Sequence, residues 1–438
     1  MVKSNTMRLI FHGAAREVGR SCIEFVYSDS GGEHRYLFDA GFKPHGTNPE
    51  LPTKIDSIQD VDGVFITHAH LDHIGALPYL HHLGLNAPLF MTPMTKKLTK
   101  IMLGDSFHLE LLKHHHPAYD DIDVESVLKA TRLIDYYHIM DYKGLEFEYI
   151  PSGHIPGSSM ILFRVNGKNI LYTGDINTQD THLQHGLQLD FLDRHDVDVM
   201  ISESTYGDRE HKDRKKEESL FLESVDKTLK QGGSVLLPAF AIGRAQELVM
   251  IVSKFAAKVP IYLDGMAKDI AKIFVGDDLH IRNSDSLRDA LKNVIFVGSS
   301  KQRHELLRQQ AIIITTSGMV SGGPVMQYLK HFWHNEKNSI LLTGFQGAHT
   351  NGRMLLEDGM AYVDGMALKF NCRVDQFDFS GHAGRMGILD TIKKVNPRLL
   401  IINHGSEEAS MQIAKDSKRY ARKVILPHMD SSVVIEKL

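Results

Sequence analysis

The sequence predicts an α/β protein in which a strand-rich domain is interrupted by a second, doubly wound domain. Over residues 1–205, short apolar runs end in glycine, aspartate or histidine, which is typical of strands. Over residues 206–375, apolar runs alternate with helical stretches, which favours a parallel sheet covered on both faces. Strand-like runs then return. We therefore assign residues 1–205 and 376–438 to one discontinuous domain and residues 206–375 to the insertion.

Local patterns support this division in chain order. The runs CIEFVYS and HRYLFDAG are joined by Asp29-Ser30-Gly31-Gly32, where glycine favours the positive φ of a hairpin turn. Between Met94 and Lys129 the apolar spacing becomes helical, which predicts helices inserted between strands. The charged run REHKDRKKEE precedes the helical stretch SLFLESVDKTLKQ. We interpret its basic residues 212–216 as a solvated helix start rather than an RNA contact.

Composition limits the classes of protein. With 438 residues, 42% apolar and 24% charged, the chain is long enough for two or three folded domains and is not disordered. The net charge of −4 provides no general attraction for nucleic acid, so a polyanion site must be local. Two cysteines cannot form a disulfide framework, and the N-terminus lacks a signal-peptide run. We expect a cytoplasmic protein without a membrane span.

The densest chemical signal is a cluster of metal ligands after the apolar run GVFIT. His68, His70, Asp72 and His73 lie within six residues. In an extended backbone alternate side chains point the same way, so we expect the first three to converge. Four donors so close together serve two adjacent ions more easily than one tetrahedral ion. A polar loop with histidines by chance is the alternative, and it is improbable.

Three isolated residues at later strand ends complete the predicted centre. The expected ligands are His68, His70 and His154 for one ion, Asp72, His73 and His404 for the other, and Asp175 as the bridge. Imidazole and carboxylate without thiolate favour two zinc ions, with manganese or iron as alternatives. Asp39, in FDAG, either supports the cluster or forms a turn.

The motifs together resemble a known family. HAHLDH, FDAG, the GH at 153–154, TGD at 173–175 and NHG at 403–405 resemble the metallo-β-lactamase superfamily. The middle of the chain is similar to the β-CASP nucleases, which include the endonuclease subunit of the cleavage and polyadenylation specificity factor and its archaeal and bacterial relatives. The motifs that carry this similarity are SESTYGDR, LLPAFAIGRAQEL, TTSGMVSGGPVMQYL, GFQGAHTNGRML and FSGHA. We expect the type without RNA-binding KH domains.

The resemblance implies a four-layer αββα metallo-β-lactamase domain with an inserted β-CASP domain. It also implies dizinc hydrolysis of single-stranded RNA to 5′-phosphate and 3′-hydroxyl products. Glu203 matches an acidic motif and His382 a histidine motif of the family, and with Asp72 they form the expected catalytic set. Glu203 would orient His382, which would protonate the leaving oxygen. The SGHA string resembles the exonucleolytic ribonuclease J branch and GFQGAHTNGR the cleavage-factor branch. The resemblance therefore leaves two alternatives open, with endonuclease action as the first expectation and 5′–3′ exonuclease action as the second.

Substrate contacts are expected in the inserted domain. The loop after AIIITT could hold a phosphate on backbone amides; its candidate residues are Ser317, Gly318, Ser321, Gly322 and Gly323. Arg244 is a candidate phosphate ligand, with an ordinary surface arginine as the equal alternative. Aromatic residues placed for base stacking are not apparent. We also expect a homodimer through the C-terminal region.

Two other functions stay open at this point. A noncatalytic or partner-activated subunit of an RNA-processing complex would have the same fold, but the full set of ligands argues against it. A small-molecule hydrolase would not need the long insertion between Glu203 and His382. Zinc content separates the first from an enzyme, and turnover of a small ester tests the second.

Overall fold

The computed structural model describes residues 6–43, 49–112 and 118–435. Within these ranges the strands are β1 (Met7–Phe11), β2 (Ile23–Asp29), β3 (Gly32–Phe38), β4 (Gly63–Phe65), β5 (Leu89–Met91), β6 (Thr131–Leu133), β7 (Ile139–Tyr142), β8 (Leu145–Pro151), β9 (Ser159–Val165), β10 (Lys168–Tyr172), β11 (Val199–Ser202), β12 (Val235–Pro238), β13 (Ile261–Asp264), β14 (Val294–Phe296), β15 (Ile312–Thr315), β16 (Ser339–Leu342), β17 (Met360–Val363), β18 (Met366–Lys369), β19 (Arg373–Gln376), β20 (Leu399–Ile402), β21 (Lys423–Ile425) and β22 (Ser432–Ile435). The α-helices are α1 (Leu71–Ile74), α2 (Leu77–His82), α3 (Pro93–Leu112), α4 (Asp121–Ala130), α5 (Arg214–Lys230), α6 (Arg244–Val252), α7 (Ala267–Val275), α8 (Ser284–Leu291), α9 (Ser300–Leu306), α10 (Val325–Phe332), α11 (Asn351–Glu357), α12 (Arg385–Val395) and α13 (Glu407–Asp416). Short 3-10 helices span Ile58–Asp60, Asp190–Asp193, Ser253–Phe255 and Ser417–Arg419.

The chain divides into two compact units. The first comprises Met1–Asp180, His185–Glu210 and His382–Leu438, and the second comprises Thr181–Gln184 and His211–Gly381. The long insertion begins and ends a few residues beyond the boundaries that the sequence suggested, and the short segment Thr181–Gln184, which the sequence assigned to the first domain, also belongs to the second unit.

The first unit contains two mixed seven-stranded sheets. One has the order β22-β1-β2-β3-β4-β5-β6, and the other β21-β20-β11-β10-β9-β8-β7. In the second sheet β10, β11, β20 and β21 are parallel. Because their carboxyl ends meet at one edge, the residues that follow these strands are brought together.

Aromatic residues fill the space between these two sheets. Alternation along the strands buries Phe38 and Phe65 of the first sheet against Phe163 of the second, with the ring centroids of Phe38 and Phe163 4.4 Å apart. The outer face of the second sheet packs on α12 through Ile388 and on α13 through Ile413. Helix α3 contacts β6 of the first sheet. This arrangement confirms the predicted αββα layers.

The second unit is built on a parallel sheet with the order β14-β13-β15-β12-β16-β19. Leu237 points into the core formed with α5 and α6, whereas its neighbour Leu236 points into the core formed with α10. Helices therefore cover both faces, which confirms the predicted doubly wound class. A separate hairpin pairs β17 with β18.

Three sequence expectations concern the chain as a whole. Cys22 and Cys372 are buried and form no disulfide. None of the helices in the described ranges has the length and hydropathy required for a membrane span. In the C-terminal region, β22 pairs with β1 of the same chain, and residues 436–438 lie outside the described residues. The expected dimer contact through this region stays a prediction.

Candidate metal centre

The metal cluster of the sequence lies where β4 gives way to a one-turn helix. The strand ends at Phe65, and α1 begins directly after His70, so Asp72 is helical rather than extended as we expected. Backbone contacts explain the turn, because the Asp72 carbonyl accepts from the Ser21 amide at 2.8 Å. A Cβ atom at Gly41 would lie 1.7 Å from that carbonyl oxygen, so the glycine of FDAG permits the close approach.

One group of ligands surrounds His70. Its Nδ1 atom lies 3.2 Å from Nε2 of His68 and 3.1 Å from Nε2 of His154. With Asp175, these side chains offer ligand atoms that all lie within 4.8 Å of one another. The structure thus brings together the four residues assigned by sequence to the first ion and the bridge.

A second set of ligands gathers on the other side of Asp175. His73 and His404 form a group with Asp175, and Asp72 forms another with His68 and His73. The Nε2 atom of His404 lies 3.4 Å from Oδ2 of Asp72. The four residues expected for the second ion and the bridge are therefore neighbours, although they do not form a single group of four.

The buried polar atoms of this centre test whether it fits metal ions. Asp175 Oδ1, His73 Nε2 and His404 Nε2 are buried and make no well-aligned hydrogen bond with the described residues, although each lies 3.2 to 3.5 Å from an oppositely charged or ring partner in the cluster. Such atoms are costly to bury unless something satisfies them. All three are lone-pair donors of the kind that zinc prefers, so the side chains fit a cation.

Asp39 follows β3 and supports this centre. It is fully buried with φ +58°, and Oδ2 accepts a hydrogen bond from Nδ1 of His73 at 2.7 Å. Its other oxygen accepts from the Thr67 amide at 2.8 Å. A proton held on Nδ1 leaves the Nε2 lone pair of His73 directed toward a metal. The contacts of Asp39 therefore agree with the first sequence interpretation, that it supports the cluster.

The expected catalytic pair lies next to the ligands. Nδ1 of His382 is 3.3 Å from Oε2 of Glu203 and 3.9 Å from Oδ2 of Asp175. Glu203 is itself buried and accepts hydrogen bonds from the amides of Ile176 and Thr205. The His382 ring centroid is 4.4 Å from that of His154.

Electrostatics divide these histidines into two kinds. Burial and the nearby His73 lower the pKa of His68, and burial lowers the pKa of His70 to about 4. Both shifts favour the neutral imidazole that binds a metal. Burial also disfavours the charged form of His73, but the carboxylates of Asp175 and Asp39 outweigh it and raise the His73 pKa. Burial also disfavours the charged form of His382, but the carboxylates of Glu203 and Asp175 outweigh it and raise the His382 pKa to about 9. Cations on Asp175 would oppose that rise.

The expected phosphate contacts lie in the second unit. Arg244 is the first residue of α6, and its guanidinium pairs with buried Glu247, leaving 10% of its side chain exposed. In the glycine-rich loop, the Ser317 hydroxyl accepts from the Ser321 amide at 3.1 Å, and the Ser317 amide donates to the Gly322 carbonyl. Gly318 is buried, whereas Gly323 is exposed. Phosphate binding by these residues stays a prediction.

Sequence reasoning missed one part of the support. The Tyr172 hydroxyl donates to Oδ2 of Asp39 at 2.8 Å and lies 3.0 Å from the Ser21 hydroxyl. Thr205 contacts Nδ1 of His404 through its hydroxyl at 3.3 Å. Tyr172 precedes the TGD motif within an apolar run, so its position gave no signal beyond ordinary core packing.

Three protein-family descriptions match the chain. Residues 34–213 match a beta-lactamase superfamily domain, residues 245–355 the Beta-Casp domain, and residues 367–427 a Zn-dependent metallo-hydrolase RNA specificity domain. The third match contains His382 and His404, and the first contains the other expected ligands.

Whole-chain relatives share this organisation. The chain is 41% identical to the probable RNase MJ4 of Methanocaldococcus jannaschii, over 98% of this chain and 100% of the relative. It is 34% identical to the RNase aCSPSF2 of Saccharolobus solfataricus, over 92% and 80%, and 32% identical to the transcription termination factor FttA of Pyrococcus horikoshii, over 95% and 69%. A crystal structure of a protein of unknown function from Enterococcus faecalis V583 has the same fold, with a TM-score of 0.60, 17% identity and coverage of 98% and 100%.

Proposed function

This chain belongs to the β-CASP family of metallo-β-lactamase-fold ribonucleases, and we propose that it hydrolyses single-stranded RNA with two zinc ions. It is a metal-dependent ribonuclease. We further propose products with 5′-phosphate and 3′-hydroxyl ends, formed mainly by internal cleavage with additional 5′–3′ exonuclease action.

The observation that carries the proposal is the position of Asp175. This buried carboxylate belongs to three ligand groups, one with His68, His70 and His154, one with His73 and His404, and one with Glu203 and His382. A carboxylate has two oxygens and can serve two ions at once. When bound, two such ions would activate the attacking water and neutralise charge on the phosphate.

The side chains next to the ligands would handle the leaving group. Glu203 faces Nδ1 of His382 at 3.3 Å and holds the ring in one orientation. Nε2 of His382 would then donate the proton that the departing 3′-oxygen of RNA requires. Asp72 would help to hold one of the ions, and its Oδ2 lies 3.4 Å from Nε2 of His404.

Contacts to the remaining RNA backbone would come from the second unit. We propose that the loop of Ser317, Gly318, Ser321, Gly322 and Gly323 binds a phosphate through its amides. Arg244 would have to share its guanidinium between phosphate and Glu247. A cytoplasmic location and a homodimer also belong to this proposal.

Single-stranded RNA labelled separately at each end tests the reaction. We expect discrete internal products that disappear with a chelator and in the double variant Asp72→Ala, His73→Ala. We also expect two zinc ions per chain, and product 5′ ends that accept a kinase label only after phosphatase treatment. Mononucleotides released first from the 5′ end would replace endonuclease by exonuclease action. Two bound zinc ions without any cleavage would contradict the proposal and favour a noncatalytic subunit.

A further inference from the structure

Two exposed phenylalanines lie at the carboxyl edge of the parallel sheet in the second unit. Phe240 follows β12 and is 38% exposed, and Phe345 follows the adjacent strand β16 and is 44% exposed. Scattered apolar residues on a surface are ordinary and mean little alone. These two share the edge at which doubly wound sheets bind their ligands, so their position requires a more specific explanation.

The backbone around Phe240 is shaped to hold an aromatic ring. A Cβ atom at Gly318 would lie 3.2 Å from Cδ2 of Phe240, and one at Gly344 would lie 3.2 Å from its Cε2. Gly318 follows β15 and Gly344 follows β16, the two strands that flank β12. The ring therefore rests between two glycines, where no Cβ atom crowds it, and Phe240 remains partly exposed to solvent.

A buried glutamine ties these two segments together. Nε2 of Gln346 donates to the Gly318 carbonyl at 3.1 Å and to the Gly344 carbonyl at 3.2 Å, and the residue is 2% exposed. This bridge fixes the spacing of the glycines on either side of the Phe240 ring. Phe345 lies between Gly344 and Gln346 in the chain, so its backbone is held by the same contacts.

We infer that Phe240 and Phe345 form a stacking platform for the bases of single-stranded RNA. The inference rests on the proposed function, and it adds a base contact to a site for which the sequence suggested only phosphate contacts. The net charge of −4 gives no general attraction for RNA, so affinity must come from local contacts. Stacking suits an enzyme that accepts many sequences, because every base presents an aromatic face.

Binding of two oligonucleotides by the full-length, metal-loaded protein tests the platform. One is a single-stranded RNA ten-mer with phosphorothioate linkages that slow cleavage, and the other has the same backbone with abasic positions. We expect Phe240→Ala to weaken binding of the first about tenfold and to leave binding of the second unchanged. Phe240→Trp should keep the affinity, whereas Phe240→Leu, which preserves bulk without an aromatic face, should behave like Phe240→Ala.

Tyr362→Ala is the control, because Tyr362 is an exposed aromatic residue, even more exposed than Phe240, and lies on the separate β17-β18 hairpin. It should change neither affinity. Should Phe240→Ala fail to fold, Phe345→Ala and Phe240→Leu provide the same comparison. Equal losses for both oligonucleotides, or no loss for either, would overturn the inference; the second result would favour a protein contact for these rings. Because binding is measured apart from cleavage, a chain that stacks RNA without cutting it would contradict only the proposed reaction.

Discussion

The two units each bury a carboxylate at the carboxyl end of a parallel strand, and the two carboxylates have opposite surroundings. Asp264, the last residue of β13, accepts hydrogen bonds from Arg303 at 2.6 and 3.0 Å, from Tyr328 at 2.7 Å and from the Gly265 amide at 2.7 Å. Asp175, which follows β10, faces histidine rings: Oδ1 lies 3.2 Å from Nδ1 of His404 and accepts no well-aligned hydrogen bond from the described residues.

This contrast separates a structural charge from a functional one. A buried carboxylate must be paired inside the chain or must meet a cation from outside. Asp264 is fully paired, so the edge of the second unit at β13 has no unmet demand for a cation. Asp175 is surrounded by histidines, whose ring nitrogens can bind a metal. The ligand groups that fit a metal lie among residues of the first unit.

The pair of isosteric substitutions Asp175→Asn and Asp264→Asn tests this contrast most strongly. Asp175→Asn removes the shared ligand, and we expect cleavage to fall about a thousandfold with loss of at least one metal equivalent. Asp264→Asn should leave metal content unchanged but lower the free energy of unfolding by about 3 kcal/mol, because Arg303 loses its ionic partner. Metal analysis, cleavage rates and urea unfolding of both variants provide the comparison. Similar metal loss in both would remove the distinction.

Substitution of His382 tests whether this residue of the first unit donates a proton or binds a metal. We expect His382→Ala to slow cleavage roughly a hundredfold while both metals remain, because a proton donor is lost but no main ligand is. Glu203→Gln should slow cleavage less, since the ring keeps a neutral partner. Initial rates and metal content are measured on the same preparations. If His382→Ala also loses an equivalent of zinc, His382 is a ligand instead.

Tyr172 tests how far the support of the metal centre extends. Removal of its hydroxyl in Tyr172→Phe deletes a hydrogen bond to Asp39, which orients His73. We expect metal affinity to fall about tenfold, as is usual for groups that position a ligand from behind. Competition with a chelator of known affinity measures the change. Tyr36→Phe is the control, since its buried hydroxyl bonds to the Tyr142 carbonyl, and an equal fall in both would argue for a general packing effect.

The sequence was sufficient to predict the order of the layers in the fold and to predict that most site residues lie close together, for a physical reason. His68 to His73 lie together in the chain, and His154, Asp175 and His404 each follow an apolar strand, so strand pairing alone gathers them. The direction in which each ligand side chain points was harder to predict from the sequence, because the short helix α1 replaces the extended backbone that we expected through Asp72.

Exposure was the property that the sequence could not indicate. Apolar residues are taken as buried by default, so Phe240 and Phe345 gave no sign of lying at a sheet edge. Tyr172 was hidden for the opposite reason, because a buried tyrosine is ordinary and only the fold shows which acceptor its hydroxyl meets. The pairing of Arg244 with Glu247 could have been expected from their separation of three residues on a helix.

Acid sensitivity provides the mildest test of charge pairing in the second unit. Burial tends to raise the pKa of Glu247, but the positive charges of Arg214 and Arg244 outweigh it and lower the pKa below its ordinary value of 4.5. When folding lowers the pKa of a carboxyl, that carboxyl stabilises the folded protein at any pH above the pKa it has in the unfolded chain. The stabilisation is lost as the pH falls through the lower pKa that the carboxyl has in the folded protein. We therefore expect the urea midpoint of the natural chain to fall more steeply below about pH 4.5 than that of Glu247→Gln, which should be less stable at pH 7. If the urea midpoints of the two proteins depended on pH in the same way, the ion pairs of Glu247 with Arg214 and Arg244 would add no stability. The contrast between a carboxylate paired within the chain and one that faces metal ligands would then rest on Asp264 and Asp175 alone.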